Sequence, residues 1–298
     1  MSSTRYDESN HAKTSFDEAY TAPTPHRYLA SMRAIDYRLA ERMHPFLSAV
    51  VDGSCPAAGP LRVLDVGCSY GISSALLKTD CSYEALAGFY RDAASREYGV
   101  CVRETQEWLQ ERGVREDVKI VGLDSSAAAV RFATDAGLID RGIACDLEVV
   151  GASLAEAERH LIATCDVLFS AGTIGYVSNR TMDPLLNELG SESQGALGPV
   201  AVMSVLELFE TEPIAKTFEE HGYRFGALPV GVPQRQFADE AERERVIETL
   251  QRRGVSTEVL EIKNQMFATL CVAALPQHFN TLVACVTETA ADLSPSDC

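Results

Sequence analysis

The residues best spaced to hold a small polar ligand lie in VLDVGCSYGISSALL, Val63 to Leu77. An apolar run carries an acid at Asp65, and Gly67, Cys68, Ser69 and Gly71 follow before a helical stretch opens near Ser73. Glycine at a strand-to-helix turn permits positive φ and lets a ligand come against bare backbone, where a Cβ would intervene. A lone Gly-x-x-x-Gly pair carries little. Its weight comes from placement at the end of a first strand, with Asp124 closing the next apolar run, VKIVGLD. No Ser-His-Asp set and no metal-ligand spacing accompanies these residues.

VLDVGCSYG resembles the first motif of class I S-adenosylmethionine-dependent methyltransferases, and the strand succession from Leu61 to Leu275 is similar to theirs. The resemblance implies S-adenosylmethionine (SAM) as cofactor. It puts Gly67, Cys68, Ser69 and Gly71 along the methionine and ribose part, with Asp65 beneath the loop. Asp124, followed by Ser125, matches the acid set on the ribose, where one carboxylate can accept from two vicinal hydroxyls. Asp146 and Leu147 of ACDLE match the adenine grip, Asp146 accepting from the exocyclic amine. Two features depart from the family: Ser69 stands where a further glycine is usual, and an insertion lengthens the interval from Gly67 to Asp124. A nicotinamide-binding Rossmann domain is the competing reading, but Gly-x-Gly-x-x-Gly is absent and Cys68 in Asp-x-Gly-Cys is typical of the methyltransferases.

Ligands of open α/β sheets bind beyond the carboxyl ends of the strands, so SAGTIGYVSNR, with Ala171, Gly172 and Tyr176, is expected at the reacting centre. It lacks the Asn/Asp-Pro-Pro-Tyr signature of the family's enzymes for DNA bases and protein amides, which favours a small-molecule substrate. Tyr176 has two readings: a face for a sulfonium and a hydroxyl for a nucleophile, or a ring packed under the next helix. FDEAYTAPTPHRYL offers Phe16, Tyr20, Thr21, His26, Arg27 and Tyr28, with Tyr20 and Tyr28 as candidate lid aromatics and His26 expected at the surface. Arg235 is expected as a solvated loop residue, and Glu207, just after the fifth strand, as a possible aid to an acceptor.

Three functions are carried forward. The first is methyl transfer to a small molecule by in-line displacement at the sulfonium. The second comes from a looser resemblance, through GCSYGISSALL, the long insertion and GTIGYV, to a bacterial subgroup that includes azetidine-2-carboxylate synthases. There the α-amine of SAM attacks its own γ-carbon and methylthioadenosine leaves. The third is a cofactor-binding subunit without catalysis.

The elements that must position these residues follow from periodicity. Met32, Ile35, Leu39, Met43, Phe46, Leu47 and Val50 form a helical stripe from Arg27 to Val51, ended by the linker DGSCPAAGP. Then LRVLDV, VKIVGLD, IACDL, CDVLFSAG, VAVMSVL and MFATLCVAAL alternate with helical stretches. This pattern predicts an α/β, doubly wound, mostly parallel seven-stranded sheet of the Rossmann-like class I methyltransferase type. Helices are expected at 72–78, 126–136, 153–163, 182–189 and 214–220. Residues 1–60 read as an N-terminal helical lid, 61–275 as the SAM-binding domain, 79–117 as a helical insertion after the first βα unit, and 276–298 as a tail. ALPVGVPQRQF reads as a Pro-Gly decoration before a charged helix at 238–253, and ADLSPSDC as disordered.

Charge narrows the partners. A net charge of −17 across 298 residues repels phosphate backbones, so no nucleic-acid partner is expected. MSSTRYDESNHAKTSFDEAY has no apolar core to serve as a signal peptide, and no later run is long enough for a bilayer. The nine cysteines have no zinc spacing. A cytoplasmic protein with reduced thiols, no metal and no membrane partner is the expectation, with a homodimer left open.

Overall fold

The computed structural model describes residues 11–12, 17–56, 59–79, 81–193 and 195–293. Three short helices come first: α1 (Asp17–Tyr20), α2 (His26–Ala34) and α3 (Leu39–Gly53). β1 (Leu61–Val66) leads through the glycine loop into α4 (Ile72–Thr79). The insertion is α5 (Tyr83–Gly88), a π turn at Phe89–Ala93 and α6 (Tyr98–Arg112). β2 (Val118–Asp124), α7 (Ala127–Asp135), β3 (Arg141–Ala144), α8 (Glu156–Ala163), β4 (Val167–Ile174), α9 (Asn179–Glu188), β5 (Val200–Leu206) and α10 (Glu212–Glu220) follow. The chain continues with β6 (Arg224–Gln236), α11 (Glu240–Arg252), α12 (Glu258–Lys263), β7 (Gln265–Ala274) and α13 (Pro276–Asp292).

The strand order is β3-β2-β1-β4-β5-β7-β6, parallel through β5, with β7 antiparallel to both β5 and β6. This is the doubly wound, mostly parallel seven-stranded sheet expected. Central strands buried on both faces need apolar residues at every position, which is why LRVLDV and VAVMSVL carry no polar alternation. Side chains alternate between two cores: Val63, Val200 and Val202 face one side, while Leu64, Val66 and Met203 face the other. The winding turns back between β1 and β4, where an open α/β sheet forms its ligand crevice.

Three expectations are corrected. The stripe from Arg27 to Val51 is two helices, broken at 35–38, where Asp36 takes a left-handed φ of 49°. ALPVGVPQRQF is not a decoration but most of β6, the edge strand. An edge tolerates Pro229 and Pro233 because one side needs no backbone donor, and register shifts at Ala227/Gly231 and Pro233/Arg235 absorb the irregularity. The tail opens with α13, whose Pro276 occupies the first turn and whose Phe279, Leu282 and Val286 are buried in the core that α3 shares. Ala291 and Asp292 of ADLSPSDC belong to that helix, and 294–298 lie outside the described residues, as does Phe16.

The insertion is helical as expected and builds its own aromatic cluster. Phe89 and Trp108 stack with ring centroids 5.4 Å apart, Arg112 covers Trp108 at 3.8 Å, and Tyr90 shares a 3.1 Å hydrogen bond with Thr105. Among the described residues, no helix is long and apolar enough to cross a membrane.

Candidate functional site

A cavity of about 430 Å³ opens across the carboxyl ends of β3, β2, β1 and β4, under the N-terminal helices. Gly67, Cys68, Ser69, Asp124, Ser125, Asp146, Leu147, Ala171, Gly172, Tyr20, Tyr28 and Tyr176 all line it. Asp65 and Gly71, also expected at the site, do not. Gly71 backs onto the segment after α7, where a Cβ would lie 3.0 Å from that of Leu138 and 3.3 Å from that of Ala133. Asp65 turns away beneath the loop and accepts from the Ser74 hydroxyl at 3.0 Å.

One end of the cavity is built on acids. The Asp124 carboxylate accepts backbone N–H groups from Ser69 at 2.9 Å and Ser126 at 2.8 Å, which joins the glycine loop to the end of β2. Burial raises its pKa and those N–H donors oppose the rise. Two oxygens provide about four acceptor positions, so the group keeps capacity for a ligand's hydroxyls. Asp146 accepts from the Glu148 N–H at 3.0 Å. Ser69 is in left-handed conformation at φ 47°, is buried, and its hydroxyl has no partner. At Gly67, φ 79°, a Cβ would fall 2.1 Å from Thr173 Oγ1, so only glycine lets this loop and the end of β4 meet.

Phenols face the same cavity. Tyr20, Tyr28, Tyr37 and Tyr176 line it, with Tyr20 and Tyr28 in edge contact at 5.1 Å. Burial first, and neighbouring phenols second, push Tyr20, Tyr28 and Tyr37 upward, so they stay protonated. Tyr176 is 55% exposed and sits at the rim, which rules out the packed reading. Among the described residues, neither lysine nor arginine lines the cavity.

The lid is fastened to both domains of motif and insertion. Ser126 Oγ donates to Tyr20 O at 2.6 Å, and the buried Tyr70 hydroxyl donates to Ala22 O at 2.6 Å. His26, expected at the surface, is buried, with its ring nitrogens 3.1 Å from Thr24 Oγ1 and from Ala94 O of the insertion. Burial lowers its pKa. Arg235 is likewise not a solvated loop residue: it makes a buried bidentate pair with Glu242 at 2.8 and 2.7 Å. Glu207 lies outside the cavity lining, its pKa raised by burial.

Several lining residues carried no local signal. Tyr37 sits in what reads as a continuous helix, and Thr173 and Glu148, though inside SAGTIGYVSNR and ACDLE, take no role from those motifs. Glu148 accepts from the Ser178 N–H, the Ser178 hydroxyl and the Thr181 hydroxyl at 2.8, 2.7 and 2.6 Å, tying the loop after β3 to α9. Ser178 and Thr181, three residues apart, could have hinted at that cap, though not at its partner. Among the described residues there is no cluster of His, Cys, Asp or Glu fit for a metal ion.

No family model and no curated protein matches the chain. Among solved structures it is similar to a TehB-like SAM-dependent methyltransferase from Corynebacterium glutamicum, with 15% identity over 67% of this chain and 82% of that one, TM-score 0.39. It is similar to the magnesium protoporphyrin IX methyltransferase of Synechocystis with bound SAM, with 12% identity over 92% of each chain, TM-score 0.39. The 4+2 cyclase SpnF shares 14% identity over 78% of this chain and 80% of that one, TM-score 0.36. The fold of this chain stands on its own strand order and register: a doubly wound α/β sheet with its cavity at the switch point.

Proposed function

We propose that this chain is a SAM-dependent enzyme of small-molecule chemistry, transferring the methyl group to an acceptor admitted past Tyr176. The observation that carries this reading is one cavity lined by Asp124 and Asp146 together with the phenols Tyr20, Tyr28, Tyr37 and Tyr176. The residues fit such a ligand: Asp124 keeps acceptor capacity, Ser69 Oγ is a buried group in need of a partner, and Gly67 leaves the backbone bare. SAM supplies a methyl carbon already activated by a sulfonium. The protein's part is therefore to hold, align and keep water out. Protonated phenols offer π faces to a cation without adding a counter-charge, and the exposed Tyr176 marks the side from which an acceptor comes.

A second reading, ring closure of SAM to azetidine-2-carboxylate and methylthioadenosine, draws on the phenols. Burial beside the protonated phenols desolvates an α-amine placed there and favours its neutral, nucleophilic form. Incubating the purified protein with SAM alone and resolving the products by mass spectrometry separates the two. Methyl transfer expects SAM bound and unconsumed until an acceptor is added. Methylthioadenosine appearing with a cyclic amino acid replaces it by ring closure, and failure to bind SAM overturns both.

A further inference from the structure

We propose that Tyr37, positioned by Gln234, recognises the amino-acid tail of the ligand, so that this cavity reads a zwitterionic tail with a phenol rather than a guanidinium. The assignment rests on the SAM reading. Tyr37 stands in the break between α2 and α3, and that break is stitched to β6 on each side of Gln234. The Gln236 N–H donates to Ile35 O at 2.7 Å, and Arg42 donates to Pro233 O at 3.0 Å while pairing with Asp36 at 3.1 Å. Backbone placed this firmly fixes where the two side chains meet.

They meet over Gly172, at the end of β4. A Cβ on Gly172 would lie 2.4 Å from the Tyr37 hydroxyl oxygen and 3.2 Å from Gln234 Nε2. The strand order β3-β2-β1-β4 fixes the direction of a ligand lying across these ends. With the base toward Asp146 on β3 and the ribose on Asp124 of β2, the remaining part extends over β1 and β4, toward Gly172 and Tyr37.

The hydrogen bonding at that point is incomplete in a way that suits an amino acid. The Gln234 Nε2 lies beside the phenol at Gly172 and opposes the rise that burial gives the Tyr37 pKa. An amide N–H can only donate, so the phenol keeps its own proton for a ligand acceptor. The Gln234 side chain is 95% buried, and its Oε1 has no partner among the described residues. Buried acceptors without partners are rare in folded proteins. Tyr37 thus brings a donor for a carboxylate oxygen into a cavity that no lysine or arginine lines among the described residues, with the Gln234 amide packed behind it, outside the lining.

The test compares two nucleosides by calorimetry: S-adenosylhomocysteine, which carries the tail, and methylthioadenosine, which has the same nucleoside and sulfur without it. In Tyr37→Phe the homocysteine compound is expected to bind roughly 10-fold more weakly, the scale of one hydrogen bond to a charged group. Methylthioadenosine should change by less than about twofold. Gln234→Met, which keeps the shape and removes the amide, is expected to move the same ligand in the same direction by less. Equal losses for both ligands, or no loss for the tailed one in either variant, overturn the assignment. Wild-type protein that binds neither nucleoside overturns the SAM reading and this assignment with it, an outcome distinct from a selective change.

Discussion

Asp65 shows how a carboxylate two residues before a ligand loop acts without facing the cavity. Burial pushes its pKa up to about 7, against the Ser74 hydroxyl that donates to it. An acid that binds its proton more tightly folded than unfolded contributes stability in full below the unfolded pKa near 4, and loses it as pH rises toward 7. Each unit is worth about 1.4 kcal/mol. Asp65→Asn removes this loss, so its melting temperature relative to wild type is expected to rise between pH 4 and pH 7 and to level off above. A difference flat in pH would show that burial does not raise the Asp65 pKa. At this scale, much of the site was legible. The glycines, Asp124, Asp146 and Tyr176 are marked by type and by position at strand ends, which is local information. Tyr37 and Gln234 are not: they meet only because the break after α2 is stitched to β6, and no spacing joins residues so far apart along the chain.

Elements explain the two places where periodicity misled. A 3.6-residue stripe continued through Ile35 to Leu39 because both helices face the same core, so the break left no gap in the apolar pattern. β6 was hidden by its prolines and glycines, which are costly in a central strand but tolerable at an edge. The lid helices are held in part by the Tyr70 hydroxyl, which faces Ala22 O at 2.6 Å and Ala19 O at 3.2 Å. Tyr70→Phe removes that hydroxyl and keeps the ring contacts with Tyr28 and Phe132. A net contribution of about 0.5–1.5 kcal/mol predicts a roughly 2- to 10-fold faster release of S-adenosylhomocysteine in stopped-flow displacement, with circular dichroism unchanged. An unaltered off-rate would mean that the lid is not held by this hydroxyl.

For the whole molecule, alternation of strand and helix made the doubly wound sheet legible, because a parallel sheet covered on both faces leaves that signature. The C-terminal helix was less so: PQHFNTLVACV follows the last strand without a domain-like pattern of its own, and its burial depends on α3 from the other end of the chain. A chain ending at residue 275 loses Phe279, Leu282 and Val286 from the core. At about 1.5–3 kcal/mol for each buried side chain, the loss rivals the whole stability of a domain. The shortened protein is expected to be insoluble or to lack a cooperative thermal transition. A sharp transition within a few degrees of the full chain would show that the core closes without α13.

Tyr20, Ala22 and His26 are seated by Ser126, Tyr70 and Ala94, all of which come later in the chain. The roof of the cavity therefore leaves the ribosome before any of the walls that support it. During synthesis Tyr20, Ala22 and His26 must wait for β1, the insertion and β2 to form before they have a surface to close upon. The binding chamber is thus completed backwards, with its earliest-made part settling last.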